Sequence, residues 1–405
     1  MRFPGFTEEW EKIKVSDLLN FYSTNSLSWE MLNYEGGDFL NLHYGLIHSG
    51  LPTLIDLKKD ILPFVNENAL PKKYSLCKEG DVAFADASED TNDVAKAVEF
   101  INLDGQQVIS GLHTIHGRDN ENKTVLGFKG SAFASSAFHN QIRRIAQGTK
   151  IYSISSKSFD EVFIGVPTKA EQIKIARLLH LIDERITTQN KIIDNLQSLI
   201  KGLNESFHDN INGDDISLDE IGSPYSGLSG KSGEDFGHGS PYITYLNVYQ
   251  NIIVDEKQID LVSVSPNEKQ NTVSYGDILF TLSSETPEET GIGCVYLGQS
   301  GKYYLNSFCF GVTITHPNKV YPPYLAYLVS SAKFRKFVYP LAQGSTRFNL
   351  HKNDFMRKKF KLLPLERQKE VTVTLDALSN RLNVEHKIIN LLIEQKDYLL
   401  GNLFI

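Results

Sequence analysis

Cysteine is scarce in this sequence, and long apolar runs are missing. The 405 residues include three cysteines, Cys77, Cys294 and Cys309, which lie far apart and form no CxxC pair. This spacing argues against a disulfide framework or a zinc site and favours reduced thiols. No window approaches the run of about 18 uncharged apolar residues that a membrane-spanning helix needs. The start, MRFPGFTEEWEKIKV, has no signal-like apolar core, so we expect a cytoplasmic protein with no membrane partner.

Patterns that would carry catalysis are also missing. The segment GLSGKS (227–232) has Tyr225 where a phosphate-binding P-loop needs a glycine. The segment YPPY (321–324) has a tyrosine where the NPPY motif of amino-methyltransferases needs an Asn, Asp or Ser oxygen. The histidines show no paired spacing typical of metal ligands. We therefore predict no catalytic residue, no cofactor and no metal site.

What the sequence does contain is a repeat at half-chain spacing. The stretch QGTKIYSIS (147–155) returns as QGSTRFNLH (343–351), an offset of 196 residues, and Gly80-Asp81 falls on Gly276-Asp277 at the same offset. After each QG stretch come a proline, a Glu/Gln-rich turn and a long charged helix. A chain of this length favours two or more domains. We predict a duplication of one unit, each copy being a mixed domain followed by a helix.

The mixed domains are predicted to be α+β. Short strand-like runs separated by Gly, Asn and Ser occur at 81–85, 150–154, 277–282, 294–297 and 311–315. An amphipathic helix is predicted from Pro322 to Val338, with proline in its first turn.

Each long helix has apolar residues at alternating four- and three-residue steps, the spacing of a coiled-coil seam. Both seams are interrupted at the same rung, by Gln189 and Glu385. We predict that the helices pair; the alternative is two separate amphipathic helices, each lying on its own domain. The predicted seam comprises Ile175, Leu179, Ile182, Ile186, Ile193, Leu196, Ile200, Leu203, Leu375, Leu378, Leu382, Ile389, Leu392 and Leu399.

The order of the elements predicts an antiparallel pair. The chain leaves the first helix, passes through a whole domain and then enters the second helix, so a pseudo-two-fold axis would put one domain at each end. A seam of about 32 residues would span roughly 50 Å. Because one turn of B-DNA is roughly 34 Å, the pair would act as a ruler between two half-sites about one to one-and-a-half turns apart.

The net charge of −8 argues against a nucleic-acid binder, but the charge is unevenly distributed. Residues 333–361 contain nine Lys/Arg and one acid, and residues 139–158 contain four Lys/Arg and no acid. The alternative is a solvated basic face, but two such stretches around a duplicated motif favour DNA contact. The predicted DNA-binding residues are Arg143, Arg144, Lys150 and Tyr152 in the first half, and Arg335, Lys336, Arg347, Asn349 and Lys352 in the second.

This plan resembles the specificity subunit of type I restriction–modification systems. The helix starts VPTKAEQIKIA and LPLERQKEV carry the resemblance, together with LHYGLIHSG (42–50) and YSGLSGKSGEDFGHGSPYITYLNVY (225–249). The first helix start departs from the family pattern, with Thr-Lys-Ala where Pro-Leu-Glu is common. The resemblance implies target recognition domains at 1–165 and 210–362, and long helices at 166–209 and 363–405.

The resemblance also implies a non-enzymatic subunit. It would read a bipartite, asymmetric target on double-stranded DNA, dock two methyltransferase subunits and, in some systems, recruit restriction (nuclease/translocase) subunits. Two other functions are compatible with the residues alone. One is a self-sufficient DNA methyltransferase, which S-adenosylmethionine binding would reveal, and the other is a coiled-coil adaptor that joins protein-binding domains.

Overall fold

A computed structural model describes residues 2–209, 212–299 and 301–404. The domain and helix boundaries that we predicted at residues 1, 210 and 405 lie outside the described residues. The chain divides into two compact units, Met1–Lys191 with Lys387–Ile405, and Ile192–His386. Each unit contains an α+β domain, called here the first and the second domain, and parts of both long helices. The predicted fold class is therefore confirmed.

The first domain is built around a five-stranded sheet. Its strand order is Asn20–Tyr22, Thr114–Arg118, Val82–Ala85, Ala97–Asn102 and Leu54–Asp56. All four residues of Val82–Ala85 are buried, as expected for a strand covered on both faces. The remaining strands are Glu11–Lys14, Leu32–Asn33, Phe39–Leu42, Phe64–Val65, Ala87–Ser88, Gln107–Ser110, Tyr152–Ser153 and Phe163–Val166, and the short helices are Val15–Leu18, Tyr44–Ser49, Phe128–Phe133 and Ser136–Ile145.

The second domain repeats this sheet with four strands. Their order is Gly222–Ser226, Cys309–Ile314, Ile278–Thr281 and Gly293–Val295, and the central strand Ile278–Thr281 is again fully buried. The remaining strands are Asp214–Ile216, Phe236–Ile243, Ile259–Val262, Ser283–Ser284, Tyr304–Leu305, Ala342–Gln343, Phe348–Leu350 and Phe360–Leu362, and the short helices are Tyr245–Gln250, Pro322–Ser330, Ala332–Val338 and Lys352–Arg357.

The duplication extends into the two cores. Phe84 packs against Phe138 and Phe159 in the first domain, with ring centroids 6.1 and 4.8 Å away. Adding 196 to each number gives Phe280, Phe334 and Phe355, whose rings pack in the second domain at 6.4 and 4.9 Å from Phe280. Such aromatic contacts stabilise a core beyond the area that they bury. The repeat is therefore one of packing as well as of sequence.

The two long helices, Lys169–Asp209 and Leu365–Asn402, pack against each other as predicted. In the first unit the carboxylate of Asp183 pairs with the ammonium group of Lys396. In the second unit the guanidinium of Arg367 lies 5.9 Å from the ring centroid of Phe207. Since residue numbers rise along one helix as they fall along the other, the pair is antiparallel. Every apolar residue of the predicted seam is buried or half-buried, and so are Gln189 and Glu385.

Two local predictions need correction. The strand predicted at 150–154 is shorter, Tyr152–Ser153, because residues 149–151 form a loop. The helix predicted from Pro322 to Val338 is two helices, because Ser331 leaves the helical conformation with φ −65° and ψ 144°. Its buried hydroxyl accepts a hydrogen bond from Phe334 N–H (3.2 Å) and donates one to the Leu328 carbonyl (2.7 Å). Serine is a favoured N-cap residue, so it both ends one helix and begins the next.

Within the described ranges, no helix combines the length and the apolar character needed to cross a membrane.

Candidate nucleic-acid interface

The duplicated QG motif forms the same hairpin in each domain. In the first hairpin (Gln147–Ser153), Gln147 and Ser153 exchange backbone hydrogen bonds of 3.0 and 2.8 Å. In the second hairpin (Gln343–Asn349), Gln343 pairs antiparallel with Asn349. The far strand of each hairpin also pairs with a neighbouring short strand, Ala87–Ser88 or Ser283–Ser284. The motif is thus a small, exposed loop that the domain holds from both sides.

Glycine is required in both hairpins by backbone geometry. Gly148 has φ +140° and Gly344 has φ +148°, a region that residues with a side chain rarely adopt. A Cβ atom on Gly148 would overlap the carbonyl oxygen of Ile151, and one on Gly344 would overlap that of Arg347. The repeated Gln-Gly therefore encodes a loop shape, and the side chains that follow are free to differ.

The predicted DNA-binding residues of the first domain lie on and beside the first hairpin. Arg143 and Arg144 are exposed at the end of the helix Ser136–Ile145, and Arg143 hydrogen-bonds Asn92 at 2.8 Å. Lys150 is exposed in the loop. Tyr152 is half-buried and packs against the first domain's core, which gives it a structural role as well. The structure thus brings these four residues into one region.

The predicted residues of the second domain lie in two places. Arg347 and Asn349 belong to the second hairpin, and Lys352 follows in the first turn of the next helix, with its ammonium group 5.5 Å from the ring centroid of Phe310. Arg335 and Lys336 belong to the helix Ala332–Val338, where Lys336 is exposed.

Arg335 has a partner set that favours a structural role. Its guanidinium donates to the main-chain carbonyls of Glu288 (2.6 Å), Thr290 (2.8 Å) and Gly291. Burial lowers the pKa of this guanidinium to about 10. A guanidinium that satisfies three carbonyls of one loop fixes the path of that loop, so Arg335 is better suited to positioning it than to meeting a phosphate.

A broad cleft of about 810 Å³ adjoins the second hairpin. Arg347, Thr346, Tyr245, Tyr249 and Glu289 are among its lining residues. The rings of Tyr245 and Tyr249 stack with centroids 6.0 Å apart, and the Tyr245 hydroxyl donates to the Ser283 carbonyl at 2.9 Å. Stacked aromatic side chains beside charged groups are suited to contact with nucleic-acid bases.

The first domain has a counterpart of this arrangement. The helix Tyr44–Ser49 begins after His43, whose ring accepts a hydrogen bond from the Gly45 N–H, as the helix Tyr245–Gln250 begins after the cap Thr244. His48 hydrogen-bonds the Ala87 carbonyl at 3.0 Å, the position that matches Ser283 at the offset of 196. Both domains therefore hold a short helix with aromatic side chains against the strand that flanks the hairpin.

The Gly-Asp motif anchors the central strand in both domains. Gly80 and Gly276 have φ +85° and +86°, and the following carboxylates, Asp81 and Asp277, accept backbone N–H bonds of 2.8 and 2.9 Å. Beyond this the copies diverge. Asp81 also binds His116 (2.7 Å) and Arg118, whereas Asp277 accepts from the Tyr225 hydroxyl (2.7 Å).

Asp81 should make the first domain acid-sensitive. Burial raises the pKa of this carboxyl, but hydrogen bonds from Arg118 and His116 outweigh it and leave the pKa lowered. Since the folded pKa lies below the unfolded value of about 3.9, the stabilisation is present above pH 4 and is lost as pH falls through the folded value. Asp81→Asn should lower stability at neutral pH and flatten the acid dependence, as measured by urea denaturation against pH. The exposed control Asp104→Asn should leave both unchanged; equal acid sensitivity of Asp81→Asn and wild type would contradict this role.

The same cluster contains the donors of a possible metal site. Ligand atoms of Cys77, Asp81 and His116, all buried, lie within 4.8 Å of one another. However, Asp81 already binds Arg118 through both carboxylate oxygens, at 2.6 and 2.7 Å. Burial raises the pKa of the Cys77 thiol well above its usual value, which opposes the thiolate that a metal needs. Asp81 and His116 are therefore better explained as members of a hydrogen-bond network with Arg118, and Cys77 as a residue of the neighbouring apolar core.

A buried glutamine fastens each long helix to its domain. The Gln172 amide donates to the carbonyls of Pro167 (2.8 Å) and Lys123 (3.2 Å) and accepts from Val125 N–H (2.8 Å). Gln368 makes the same three bonds at the offset of 196, to Leu363 (2.7 Å), Lys319 (3.0 Å) and Tyr321 (2.8 Å). Gln172 of AEQ and Gln368 of ERQ thus each link three segments: the end of the strand before the long helix, a loop of the domain and the first turn of the long helix.

Comparison with known proteins connects this architecture to a family. Residues 228–394 match the model for the type I restriction modification DNA specificity domain. No curated protein sequence matches the chain.

Solved structures share the fold over almost the whole chain. The S subunit of a type I restriction–modification system from M. genitalium is 17% identical over 100% of this chain and 99% of its own, with a TM-score of 0.53. The HsdS subunit from Thermoanaerobacter tengcongensis is 14% identical over 99% and 97%, with a TM-score of 0.50. A third chain comes from a structure on complex assembly and conformational transition of the type I R-M system. It is 13% identical over 97% of this chain and 97% of its own, with a TM-score of 0.62.

Residues 228–394 thus match a DNA specificity domain, and the duplicated fold is the one that solved specificity subunits share. The family match covers less than half of the chain, and over the rest the similarity to specificity subunits of type I restriction–modification systems is one of fold. Both findings agree with the resemblance that we described from the helix starts and the repeat.

Sequence reasoning missed several residues of the candidate interface. Tyr245, Tyr249 and Glu289 line the cleft of the second domain but lie outside the basic stretches and outside the repeat at an offset of 196. The signal that could have found the tyrosines is the similarity of LHYGLIHSG to ITYLNVYQN, both of which start a short helix after a capping residue. That similarity has an offset of 201, so a search at 196 passes over it.

Proposed function

We propose that this chain reads a bipartite, asymmetric target on double-stranded DNA, one half-site with each domain. The observation that carries the proposal is the pair of hairpins with the same backbone and different side chains. A shared backbone supports a shared way of approaching DNA, and different side chains support two different half-sites. Arg143, Arg144 and Lys150 in one domain and Lys336, Arg347, Asn349 and Lys352 in the other are the proposed DNA contacts, with Tyr152 and Arg335 supporting them.

The long helices are proposed to dock two methyltransferase subunits. In the first unit, Leu391 and Tyr398 of the second long helix are exposed and lie seven residues apart, on one helix face. In the second unit, Val373 and Val384 of the same helix are exposed and eleven residues apart, which is again one face. Apolar side chains aligned on an exposed face favour a partner helix.

The remaining parts of the proposal follow from the family. The segments 1–165 and 210–362 are proposed as target recognition domains, and 166–209 and 363–405 as the family's long helices. The complex would act in the cytoplasm and would recruit restriction subunits in systems that have them.

DNA binding with and without the methyltransferase tests this function. The chain carries a net charge of −8, so we expect the isolated chain to bind DNA weakly and the complex to bind strongly, with affinity falling as salt rises. Affinity for genomic fragments would be measured by fluorescence anisotropy at several salt concentrations, with the methyltransferase alone as control. If the complex retained no specific sequence, a coiled-coil adaptor would become the better account.

A further inference from the structure

The third residue after the hairpin glycine differs in kind between the two domains. It is Ile151 in the first hairpin and Arg347 in the second. The hairpins share their glycine conformation, their closing pair and their loop length, so the two side chains leave the backbone at equivalent points. Both are exposed, and Ile151 exposes 60% of its surface.

Arg347 shares its cleft with a fixed anion. Its guanidinium lies 5.4 Å from the ring centroid of Phe308, and it lines the same cleft as Glu289. The Glu289 carboxylate accepts hydrogen bonds from Tyr249 (2.7 Å) and Ser284 (3.0 Å). These hydroxyls lower the pKa of Glu289. The carboxylate is therefore held in place in its charged form.

This combination suits a base edge better than a phosphate. A fixed carboxylate repels phosphate, but it accepts a hydrogen bond from the exocyclic amine of cytosine. A guanidinium donates two parallel bonds to O6 and N7 of guanine. Arg347 and Glu289 together thus complement the major-groove edge of a G·C pair.

Ile151 can complement only an apolar group. Its side chain has no donor or acceptor, and the apolar group that an unmodified base presents in the major groove is the thymine methyl. A single exposed isoleucine is common on protein surfaces. Here, however, it occupies the position that carries a guanidinium in the second domain.

We propose that this position determines specificity in both domains, with Arg347 reading a guanine in one half-site and Ile151 contacting a thymine methyl in the other. The inference rests on the proposed function and deepens it, because it assigns one base in each half-site to one side chain.

Selection from randomised duplexes tests the assignment. The full chain, in complex with its methyltransferase, would be tested in four forms: wild type, Arg347→Lys, Ile151→Ala and Ile151→Arg. Arg347→Lys keeps the charge but loses the bidentate fork, so the preference for one guanine should fall roughly 5- to 150-fold, while affinity for duplexes that lack the target stays close to wild type. Ile151→Ala should remove a preference of roughly fourfold for thymine over uracil, which lacks the methyl group. Ile151→Arg should change the base preferred at that position of the selected duplexes from thymine to guanine.

Each other outcome overturns a defined part of the account. Arg347 contacts a phosphate if two results are found together. Arg347→Lys would retain the guanine preference, and Arg347→Met would lower the affinity for all DNA sequences alike and make that affinity less dependent on salt concentration. If Ile151→Ala still discriminates thymine from uracil, the first half of the assignment is wrong. A wild-type complex that selects no bipartite motif contradicts the proposed function itself. Circular dichroism melts of each variant separate these results from misfolding.

Discussion

Replacing Gln172 with alanine is expected to lower the free energy of unfolding of the first unit by about 3 kcal/mol. The side chain is buried and bonds two carbonyls and one N–H. Its removal leaves these main-chain groups unpaired, and each buried unpaired group costs about 1–3 kcal/mol before water compensates part of it. Both tryptophans, Trp10 and Trp29, belong to the first domain, so urea denaturation followed by tryptophan fluorescence reports on this unit.

The repeat supplies the matched comparison. Gln368→Ala should lower the free energy of unfolding of the second unit by a similar amount, because Gln368 makes the same three hydrogen bonds. Urea denaturation followed by circular dichroism would measure this change. The neighbouring Lys369 is exposed, and Lys369→Ala should change stability by less than about 0.5 kcal/mol. If both glutamine variants were as stable as the lysine control, the glutamines would not fasten the helices to the domains.

Replacing Gly344 with alanine is expected to abolish specific DNA recognition by the second domain while leaving the fold in place. The added Cβ would overlap the Arg347 carbonyl in a backbone region costing about 1–3 kcal/mol for a side-chain residue. The loop would relax and move Arg347 from its place in the cleft. We expect at least a roughly tenfold loss of affinity for the target in binding assays with the methyltransferase complex.

A glycine elsewhere in the same unit provides the control. Gly233 has open space around its Cα, so Gly233→Ala should bind DNA as wild type does. Gly148→Ala should act on the first half-site as Gly344→Ala acts on the second. Wild-type affinity of Gly344→Ala would mean that the hairpin conformation does not matter for recognition.

The sequence predicts the repeated features well because each depends on local geometry. The seam follows from helical periodicity, and the helix starts follow from a repeated proline and glutamine. The hairpins themselves were not predicted, although the repeated Gln-Gly marks where they begin. The strand predicted at 150–154 was too long because the glycine-dependent loop extends to Ile151. The break at Ser331 was missed because serine caps a helix only when its hydroxyl finds a main-chain partner.

The candidate interface was predicted less completely, since charge alone does not reveal which groups a basic side chain bonds. Arg335 and Arg347 belong to the same basic stretch, yet one binds three carbonyls and the other lines a cleft. The cleft itself joins residues 245–249, 283–289 and 346–347, which are distant along the chain. Only tertiary structure places Glu289 and Arg347 in the same cleft.

Mapping methylated bases genome-wide, after co-expression with the methyltransferase of the same system, tests the central claim most directly. Two domains that differ at equivalent recognition positions predict methylation within a motif of two unlike half-sites separated by a constant number of unspecified base pairs. One continuous motif, or two identical half-sites, would contradict the account.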